Sequence, residues 1–521
     1  MRHSWARLEQ AGVGYIIVFV VFFIGFIYFS FNLAIGDPDG FYHAKIALLL
    51  SQGTLLYGMP WMQATTLRQA FTDHHFLYHI LLVPFVRLGD PLLGVKLATA
   101  LFGAAFFTTF AWFLRRLRGA APYLFSFLLF LTSSFTFRLG LVKANSLSLI
   151  LFVCIIVALV ERRTKLIIFL NALYVWLYGG WLLGWVAAAV YALVFWFSKK
   201  EHGKRVAVVQ LVGATIVGSA IGLIVNPYFP GNISFYWQQV WQIAIVHHVS
   251  GVFSGGEWSP LAPHEMVTFF TYTIIFYISA ITLLITERRS IKPRSWFVVL
   301  LSFVFILFTI KSRRYIELSA PTVVMAASFI YADIFPHGTF SRWWRSWHGY
   351  GDRVKRAFSQ VLFVGAIIIV VLPTVGLWPQ IQLTHDQLQG GVSFHRYERA
   401  AAWLTANTPL HSTVLHSDWD DWPMLFYHND HNYYIVGLDP IFMYNYNPAL
   451  YKAWVGVTRD GRADDLATLV DIRLGASYTI IEKDHTAMQQ LFATNVYFRL
   501  VYEDDEVWVY ATDRKAIHSS T

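Results

Sequence analysis

The sequence predicts a polytopic α-helical membrane protein that ends in a polar α/β domain, and three observations support this fold class. Of the 521 residues, 56% are hydrophobic and only 14% are charged, which differs from the composition of soluble domains. Apolar runs long enough to cross a bilayer recur as far as residue 378. Beyond about Gln380, short apolar strands alternate with helical segments instead.

About eleven apolar runs are long enough to be read as transmembrane helices. They cover residues 13–35, 91–114, 121–137, 145–160, 165–181, 182–198, 205–226, 266–286, 295–311, 315–335 and 357–378. We therefore expect residues 1–378 to form a transmembrane domain and residues 379–521 to form a separate domain outside the membrane.

Lys and Arg cluster in every second connection between these runs. The clusters lie at residues 115–118, 161–165, 199–205, 287–289 and 342–356. Because basic connections stay on the cytoplasmic side, we expect a cytoplasmic N-terminus and an extracytoplasmic tail in an integral protein of the bacterial inner (plasma) membrane. The net charge of +9 therefore reflects membrane topology and does not indicate nucleic-acid binding.

The sequence of the tail predicts a small sheet layered with helices, because strand and helix patterns alternate along it. The pattern predicts helices at 393–407, 422–428, 447–456 and 464–474, strands at 413–416, 433–436 and 478–482, and a final hairpin of 498–502 and 507–510.

Two carboxylates, Asp37 and Asp39, follow the first apolar run directly. Acidic side chains beside hydrocarbon are costly, so this pair is a candidate functional site. A turn with a helix cap is the alternative, because Asp-Pro-Asp-Gly also suits that geometry. The pair opens the first long loop (residues 36–88), which we expect on the outer face.

Arg313 and Arg314 lie on the same predicted outer face, where the positive-inside rule disfavours cations. A guanidinium pair matches the oxygens of a phosphate group, so an anionic substrate would explain these residues. Snorkelling of the two side chains to lipid headgroups is the alternative.

Carboxylates and arginines on the outer face of a membrane protein suggest an enzyme that acts on a lipid-linked anion. Sugar transfer from a polyprenyl phosphate fits these parts, since a carboxylate can act on the acceptor or hold a divalent cation against the phosphate.

The chain resembles the GT-C superfamily of integral-membrane glycosyltransferases, and most of all the catalytic subunit of oligosaccharyltransferase and its bacterial and archaeal relatives. The resemblance rests on one short motif in the first long loop, Asp39-Gly40-Phe41-Tyr42-His43-Ala44-Lys45. It implies that Asp39 is the catalytic carboxylate with Asp37 as its neighbour, and that Tyr42 and His43 contact substrate.

The same resemblance assigns roles to residues in later segments. Glu257, in Gly256-Glu257-Trp258, matches a family glutamate that acts in catalysis by binding metal or substrate, and Arg313 or Arg314 matches an arginine near the lipid pyrophosphate. The tail segment 416–423 is similar in placement to the domain that reads the acceptor. Within it, the expected contacts with the acceptor come from Trp419, Asp420 and Asp421.

Two departures from the family pattern bear on metal and acceptor. The place of a second acidic pair reads Thr136-Phe137-Arg138-Leu139-Gly140, and the Trp-Trp-Asp-Tyr-Gly acceptor motif is absent. If a divalent cation (Mn²⁺ or Mg²⁺) is used, Asp39 and Glu257 would bind it, with Asp73 and His74 replacing the missing ligands. Hydrogen-bonded structural roles for Asp73 and His74 are the alternative.

These observations favour an oligosaccharyltransferase-like enzyme that moves a glycan from a polyprenyl-(pyro)phosphate donor to a protein or glycan acceptor, with membrane lipids around it. A single-sugar transferase with a polyprenyl-monophosphate donor is the first alternative. A flippase for a lipid-linked glycan is the second, although it should show repeats and polar groups at mid-membrane.

Overall fold

The computed structural model describes residues 2–198, 205–239, 252, 255–287, 291–335 and 377–520. The chain forms two compact units, and each draws on separate parts of the sequence. Unit 1 contains Met1–Asn32, Lys96–Ile224 and Glu257–Gly390, and unit 2 contains Leu33–Val95, Val225–Gly256 and Gly391–Thr521. The predicted boundary after residue 378 was drawn from composition, whereas these two units are defined by internal contacts. The predicted boundary is therefore not tested and stays a prediction.

The described elements are numbered here in chain order. The first part contains α1 (Arg2–Ser30), β1 (Ala34–Ile35), α2 (Asp39–Ser51), α3 (Phe76–Val86), α4 (Pro91–Arg116), α5 (Pro122–Phe130), α6 (Ser133–Gly140), α7 (Asn145–Val160), α8 (Thr164–Leu177), α9 (Leu183–Phe197), α10 (Arg205–Ile224), α11 (Gly231–Trp237), α12 (Pro263–Glu287), α13 (Pro293–Lys311) and α14 (Ile316–Ile334). The last part contains α15 (Leu377–Gln389), β2 (Val392–Ser393), α16 (Glu398–Asn407), β3 (Thr413–His416), α17 (Trp422–His428), β4 (Tyr433–Tyr434), α18 (Ile441–Tyr446), α19 (Pro448–Thr458), α20 (Leu466–Thr468), β5 (Ala476–Glu482), α21 (Thr486–Ala493), β6 (Phe498–Glu503), β7 (Val507–Thr512) and α22 (Arg514–Ser520).

The chain is an integral membrane protein, because several described helices are long and apolar enough to cross a bilayer. They are Gly12–Ser30, Pro91–Arg116, Arg205–Ile224, Pro293–Lys311 and Arg313–Ile334, and α5 with α6, bent by 77° at their junction, gives one more if the pair is a broken span.

The predicted number of about eleven spans stays a prediction. Helices α7, α8 and α9 occupy three of the predicted spans, but at 16, 14 and 15 residues they are shorter than the ~20 residues that a full crossing needs. The predicted span 357–378 and the basic connection 342–356 lie almost wholly outside the described residues.

Helices α8 and α10 of unit 1 pack backbone against backbone. A Cβ atom added at Gly218 would lie 2.4 Å from the carbonyl oxygen of Ile168, and one added at Gly222 would lie 2.7 Å from that of Ala172. Glycines four residues apart occupy one face of a helix and let two helices approach closely in a membrane.

The tail folds around a five-stranded sheet with the order β4-β3-β5-β7-β6. Strand β3 is parallel to both neighbours, whereas β7 is antiparallel to β5 and to β6. The predicted strand 413–416 and helix 422–428 are confirmed residue for residue. Loops at the carboxyl ends of parallel strands commonly carry a binding site, so the turn after β3 is of interest.

The first long loop belongs to unit 2, where it packs with the tail. Strand β1 pairs with β2 through Ala34 and Ser393. The indole of Trp422 donates a hydrogen bond of 2.9 Å to the carbonyl of Trp61. Phe41 of α2 meets the Tyr427 ring of α17 edge to face, with centroids 5.6 Å apart. These contacts hold the start of α2 near the turn that follows β3.

Candidate active site

Asp37 and Asp39 have different structural roles in the turn before α2. The Oδ1 atom of Asp37 accepts a hydrogen bond of 3.0 Å from the backbone N–H of Asp39. Asp39 is itself the first residue of α2, where a negative side chain is favoured by the helix dipole. The turn-forming role predicted as the alternative therefore belongs to Asp37.

The turn after β3 contributes a second group of carboxylates. Asp418 accepts a hydrogen bond from the backbone of Asp420 at 3.3 Å, while Asp421 accepts one from the backbone of Asp418 at 2.8 Å. Asp421 also accepts a hydrogen bond of 2.7 Å from the Tyr397 hydroxyl. Asp421 is buried by these contacts, so its side chain stabilises the turn, as expected of a capping box.

Asp37, Asp39, Asp418 and Asp420 form an acidic cluster in unit 2. Asp420 is exposed by surface area, yet desolvation of its carboxyl group, together with the charges of Asp39, Asp418 and Asp37, raises its pKa to about 8. Desolvation and the charge of Asp421 also raise the pKa of Asp418. Carboxylates that disfavour one another's ionisation in this way attract a cation or share a proton.

In the part of the chain that the structure describes, neither the acidic cluster nor the predicted set of ligands brings three ligand atoms within 4.8 Å of one another. The donors of the acidic cluster are carboxylate oxygens, which suit Mg²⁺ and Mn²⁺. The structure does not bring Asp39, Asp73 and His74 together as a group of ligands. Among the described residues, the group of three whose ligand atoms lie within 4.8 Å of one another is Glu482, Asp484 and His485.

Asp73 and His74 have other partners, in line with the structural alternative. Asp73 accepts a hydrogen bond of 3.0 Å from the backbone of His75 and contacts His79 Nδ1 at 2.7 Å. The His74 ring lies against His75 and Phe235, with centroids 3.9 and 5.2 Å away.

Tyr42 and His43 lie in the interior of unit 2, where their side chains are 3% and 2% exposed. Burial and the charges of Asp73, Tyr228 and Asp39 raise the pKa of the Tyr42 hydroxyl well above its usual range. Neither observation tests the predicted contacts of Tyr42 and His43 with substrate, which remain a prediction. Trp419 is half-buried in the same turn as Asp420.

Unit 1 contains a second charged cluster, which is centred on Glu257. Its Oε2 lies 3.2 Å from Arg138 Nη1, and its Oε1 lies 2.6 Å from Arg314 Nη1. Arg138 also faces Glu317 at 3.5 Å. Burial would raise the pKa of Glu257, but Arg314, Lys143 and Arg138 outweigh it and hold that pKa well below its usual value.

We call these five side chains the arginine cluster: Arg138, Lys143, Glu257, Arg314 and Glu317. Three cations face two carboxylates, so the cluster carries a net positive charge and suits an anion. Arg138 occupies the position where the family pattern has an acidic residue. This departure from the pattern was the feature of the sequence that pointed to the arginine cluster. Lys143 lies on the same predicted outer face, whereas Glu317 gave no signal in the sequence.

The structure distinguishes the two adjacent arginines. Arg314 joins the arginine cluster, and its guanidinium lies 4.8 Å from the centre of the Trp258 ring. Arg313 instead faces Glu265 at 3.4 Å and is 41% exposed. Its backbone N–H donates to the carbonyl of Ser259 at 2.9 Å.

Comparison with known proteins identifies relatives by structure alone. No protein-family model matches the sequence, and no curated protein matches it. The archaeal oligosaccharyltransferase AglB from Archaeoglobus fulgidus, in complex with an inhibitory peptide and a dolichol-phosphate, is similar over 96% of this chain and 74% of its own, with a TM-score of 0.63 and 12% identity.

Two further solved structures share the architecture. ArnT from Cupriavidus metallidurans, bound to undecaprenyl phosphate, matches over 96% of this chain and 98% of its own, with a TM-score of 0.54 and 14% identity. The mycobacterial arabinofuranosyltransferase AftD matches over 95% of this chain and 41% of its own, with a TM-score of 0.55 and 15% identity. This chain shares the fold of these three proteins, and the GT-C-like fold class expected from the sequence is confirmed.

Proposed function

We propose that the protein is a membrane glycosyltransferase that moves a glycan from a polyprenyl-linked phosphate donor to a protein or glycan acceptor at the extracytoplasmic face. The acidic cluster is the observation that carries this proposal. Asp39 shares it with a carboxyl group, Asp420, whose pKa is about 8, and perturbed carboxyl groups of this kind are typical of catalytic sites.

Asp39 is the proposed catalytic base. The nucleophilic atom of the acceptor forms a bond to the anomeric carbon of the donor sugar, and the bond from that carbon to the phosphate oxygen breaks. The phosphate leaves with the electron pair, and the proton of the acceptor passes to an Asp39 oxygen. An ionised carboxylate at the first residue of a helix suits this role.

The arginine cluster is proposed to hold the phosphate of the donor. Arg138, Lys143 and Arg314 supply positive charge for the leaving phosphate, and guanidinium groups match phosphate oxygens geometrically. Glu257 orients both guanidinium groups by its two ion pairs. We therefore assign Glu257 a positioning role rather than the catalytic and metal-binding roles expected from the sequence.

The carboxylates of the acidic cluster offer the negative charge that a divalent cation needs, but as placed they do not form a site of three ligands, and no step of the proposed reaction depends on the ion. Such an ion, Mn²⁺ or Mg²⁺, would supply positive charge that polarises the donor phosphate. Its binding would also offset the mutual repulsion that raises the pKa of Asp420.

We propose two alternative classes of lipid donor. An oligosaccharyltransferase-like reaction is supported by the likeness to AglB. A single-sugar transferase with a polyprenyl-monophosphate donor is supported by the likeness to ArnT, which was solved with undecaprenyl phosphate and is matched over nearly its whole length. A flippase would not need the acidic cluster.

Transfer from synthetic polyprenyl-phosphate and polyprenyl-pyrophosphate sugars, measured with the purified protein in detergent, tests the proposal. We expect Asp39→Asn to lower turnover about a hundredfold or more with no fall in melting temperature, because it removes the base and keeps the volume. Asp37→Asn, measured beside it, tells which of the two carboxylates carries the chemistry. Asp460→Asn, at an exposed position of the same unit, is the control and should keep normal activity. Robust transfer by Asp39→Asn would refute the assignment.

A further inference from the structure

Three buried ionisable side chains, His43, His79 and Asp73, form a hydrogen-bonded string in unit 2. The proposed reaction does not use them. His43 Nδ1 lies 2.7 Å from His79 Nε2, and His79 Nδ1 lies 2.7 Å from Asp73 Oδ2. His43, His79 and Asp73 are 2%, 0% and 2% exposed. The string joins α2, which begins at Asp39, to α3 and to the residues just before it.

Each contact of the string pairs a donor with an acceptor. Asp73 Oδ2 accepts from Nδ1–H of His79. Between His79 Nε2 and His43 Nδ1 one nitrogen donates and the other accepts, as the tautomers of the two rings decide. Asp73 is held at its other oxygen as well, by the backbone N–H of His75 at 3.0 Å. Each member of the string is therefore oriented by the next.

Aromatic rings enclose the string, so water does not weaken its hydrogen bonds. Tyr78 meets the His43 ring edge to face, with centroids 5.2 Å apart, and Tyr42 meets the His79 ring likewise at 5.7 Å. Removing one member in such surroundings leaves polar atoms of the others buried without a partner, which is costly.

We propose that the Asp73–His79–His43 string is a positioning device that holds the first turn of α2, and with it the Asp39 carboxylate, in the geometry for reaction. His43 follows Asp39 by four residues, so the two side chains share one face of the helix. Fixing the His43 ring against α3 therefore fixes the rotation of that turn. This inference rests on the proposed function of Asp39, but its structural part can be tested separately.

His79→Phe is the test variant, because it keeps a ring of similar size and removes both hydrogen bonds. We expect kcat to fall about 10- to 100-fold, the loss typical of removing the partner that orients a reacting ligand, with the KM for the lipid donor unchanged. Hydrogen exchange of the α2 amides should become faster. His431→Phe, which loses one hydrogen bond to Thr408 in the same unit, is the control and should change neither quantity.

A second pair of variants separates positioning from general stability. The amide of His43→Asn can still form a hydrogen bond with His79, as donor or acceptor, so this variant should retain most of the turnover, whereas His43→Leu cannot form one and should lose it. Rates are normalised to the folded fraction. Turnover of His79→Phe equal to that of the wild type, or a loss that vanishes on this normalisation, would overturn the inference.

The outcomes also distinguish this inference from the proposed function. If Asp39→Asn abolishes transfer but His79→Phe does not reduce it, the positioning role is refuted and the glycosyltransferase stands. If the wild type transfers no sugar from any polyprenyl donor, the proposed function fails, and the exchange rate of the α2 amides alone decides the structural part. Unchanged exchange in His79→Phe would then refute it.

Discussion

At the scale of single residues, neighbours in sequence have separate tasks. Asp37 accepts a backbone hydrogen bond in the turn, whereas Asp39 begins a helix beside other carboxylates. Arg313 is 41% exposed in an ion pair with Glu265, whereas Arg314 is 27% exposed and pairs with Glu257 of the arginine cluster. Arg313 and Arg314 therefore give a matched pair of variants, in which Arg313 serves as the control.

The arginine pair gives the first prediction. Arg314→Gln should lower kcat/KM for the donor by about 30- to 1,000-fold, because a lost charge donor costs roughly 2–4 kcal/mol of transition-state stabilisation. Arg313→Gln should stay within about fivefold, since a partly exposed ion pair contributes about 0–1 kcal/mol.

Arg314→Gln leaves Glu257 with one partner fewer, so loss of folding must be separated from loss of function. The double variant Glu257→Gln with Arg314→Gln removes both charges and should recover the melting temperature without recovering turnover. Equal activities of Arg313→Gln and Arg314→Gln in steady-state assays would contradict the proposed phosphate contact.

Asp420 gives a prediction about pH. Desolvation and the nearby carboxylates raise its pKa to about 8 from 3.8, so the folded state is stabilised with the proton bound. That stability is fully present below about pH 4 and is lost as the pH rises through about 8. Asp420→Asn stays neutral, so its melting temperature should exceed that of the wild type by a margin that grows between pH 4 and pH 8 and then levels off.

Thermal unfolding in detergent with chelator, at a series of pH values, measures this margin. Asp460→Asn, at an exposed position of the same unit, is the control and should show no such trend. Added Mn²⁺ should narrow the margin at pH 8 if the acidic cluster binds it. A margin that is constant with pH would show that Asp420 ionises normally.

At the scale of elements, close approach between helices shapes unit 1. The faces of α8 and α10 meet where Gly218 and Gly222 have no side chain, and backbone atoms of Ile168 and Ala172 occupy that space. In a membrane, where lipid tails are as apolar as leucine, such close packing replaces the hydrophobic effect as the force between helices.

Gly218→Val should therefore destabilise the protein, because its Cβ would meet the Ile168 carbonyl oxygen at 2.4 Å and force the helices apart. Overpacking of this kind costs about 1–3 kcal/mol. Gly213→Val in the same helix is the control, since nothing lies within 4 Å of a Cβ atom there. The two variants are compared by their melting temperatures in detergent. A similar fall in melting temperature for both would show that valine in a helix, and not the close approach of α8 and α10, causes the destabilisation.

At the scale of the whole molecule, the orientation in the membrane places every proposed site residue. Basic connections alternate with non-basic ones along the sequence, which predicts a cytoplasmic N-terminus and an extracytoplasmic tail. A reporter fused after Thr521 should be active only in the form that works outside the cytoplasm. Activity of a cytoplasmic reporter there would place the acidic cluster on the opposite face.

The sequence by itself determined the features that depend on local pattern. Apolar runs defined the helices α1, α4, α10 and α13, and strand β3 and helix α17 follow directly from periodicity. The short motif at Asp39 indicated the GT-C fold, because that motif is contiguous in the chain. Span count and domain division were less well determined, since helices such as α8, with 14 residues, are near the limit of length.

Tertiary structure alone decided the partners of these residues. About 380 residues separate Asp39 from Asp420, and only the packing of the first long loop with the tail brings their charges into one cluster. Glu257 was predicted to bind metal, but folding gives it two arginines. His43 was predicted from its motif to contact substrate, and only the structure shows that its ring is buried against His79 of α3. Local pattern encodes which segments are helices or strands, but electrostatic partners arise from contacts between distant segments, which no single segment specifies.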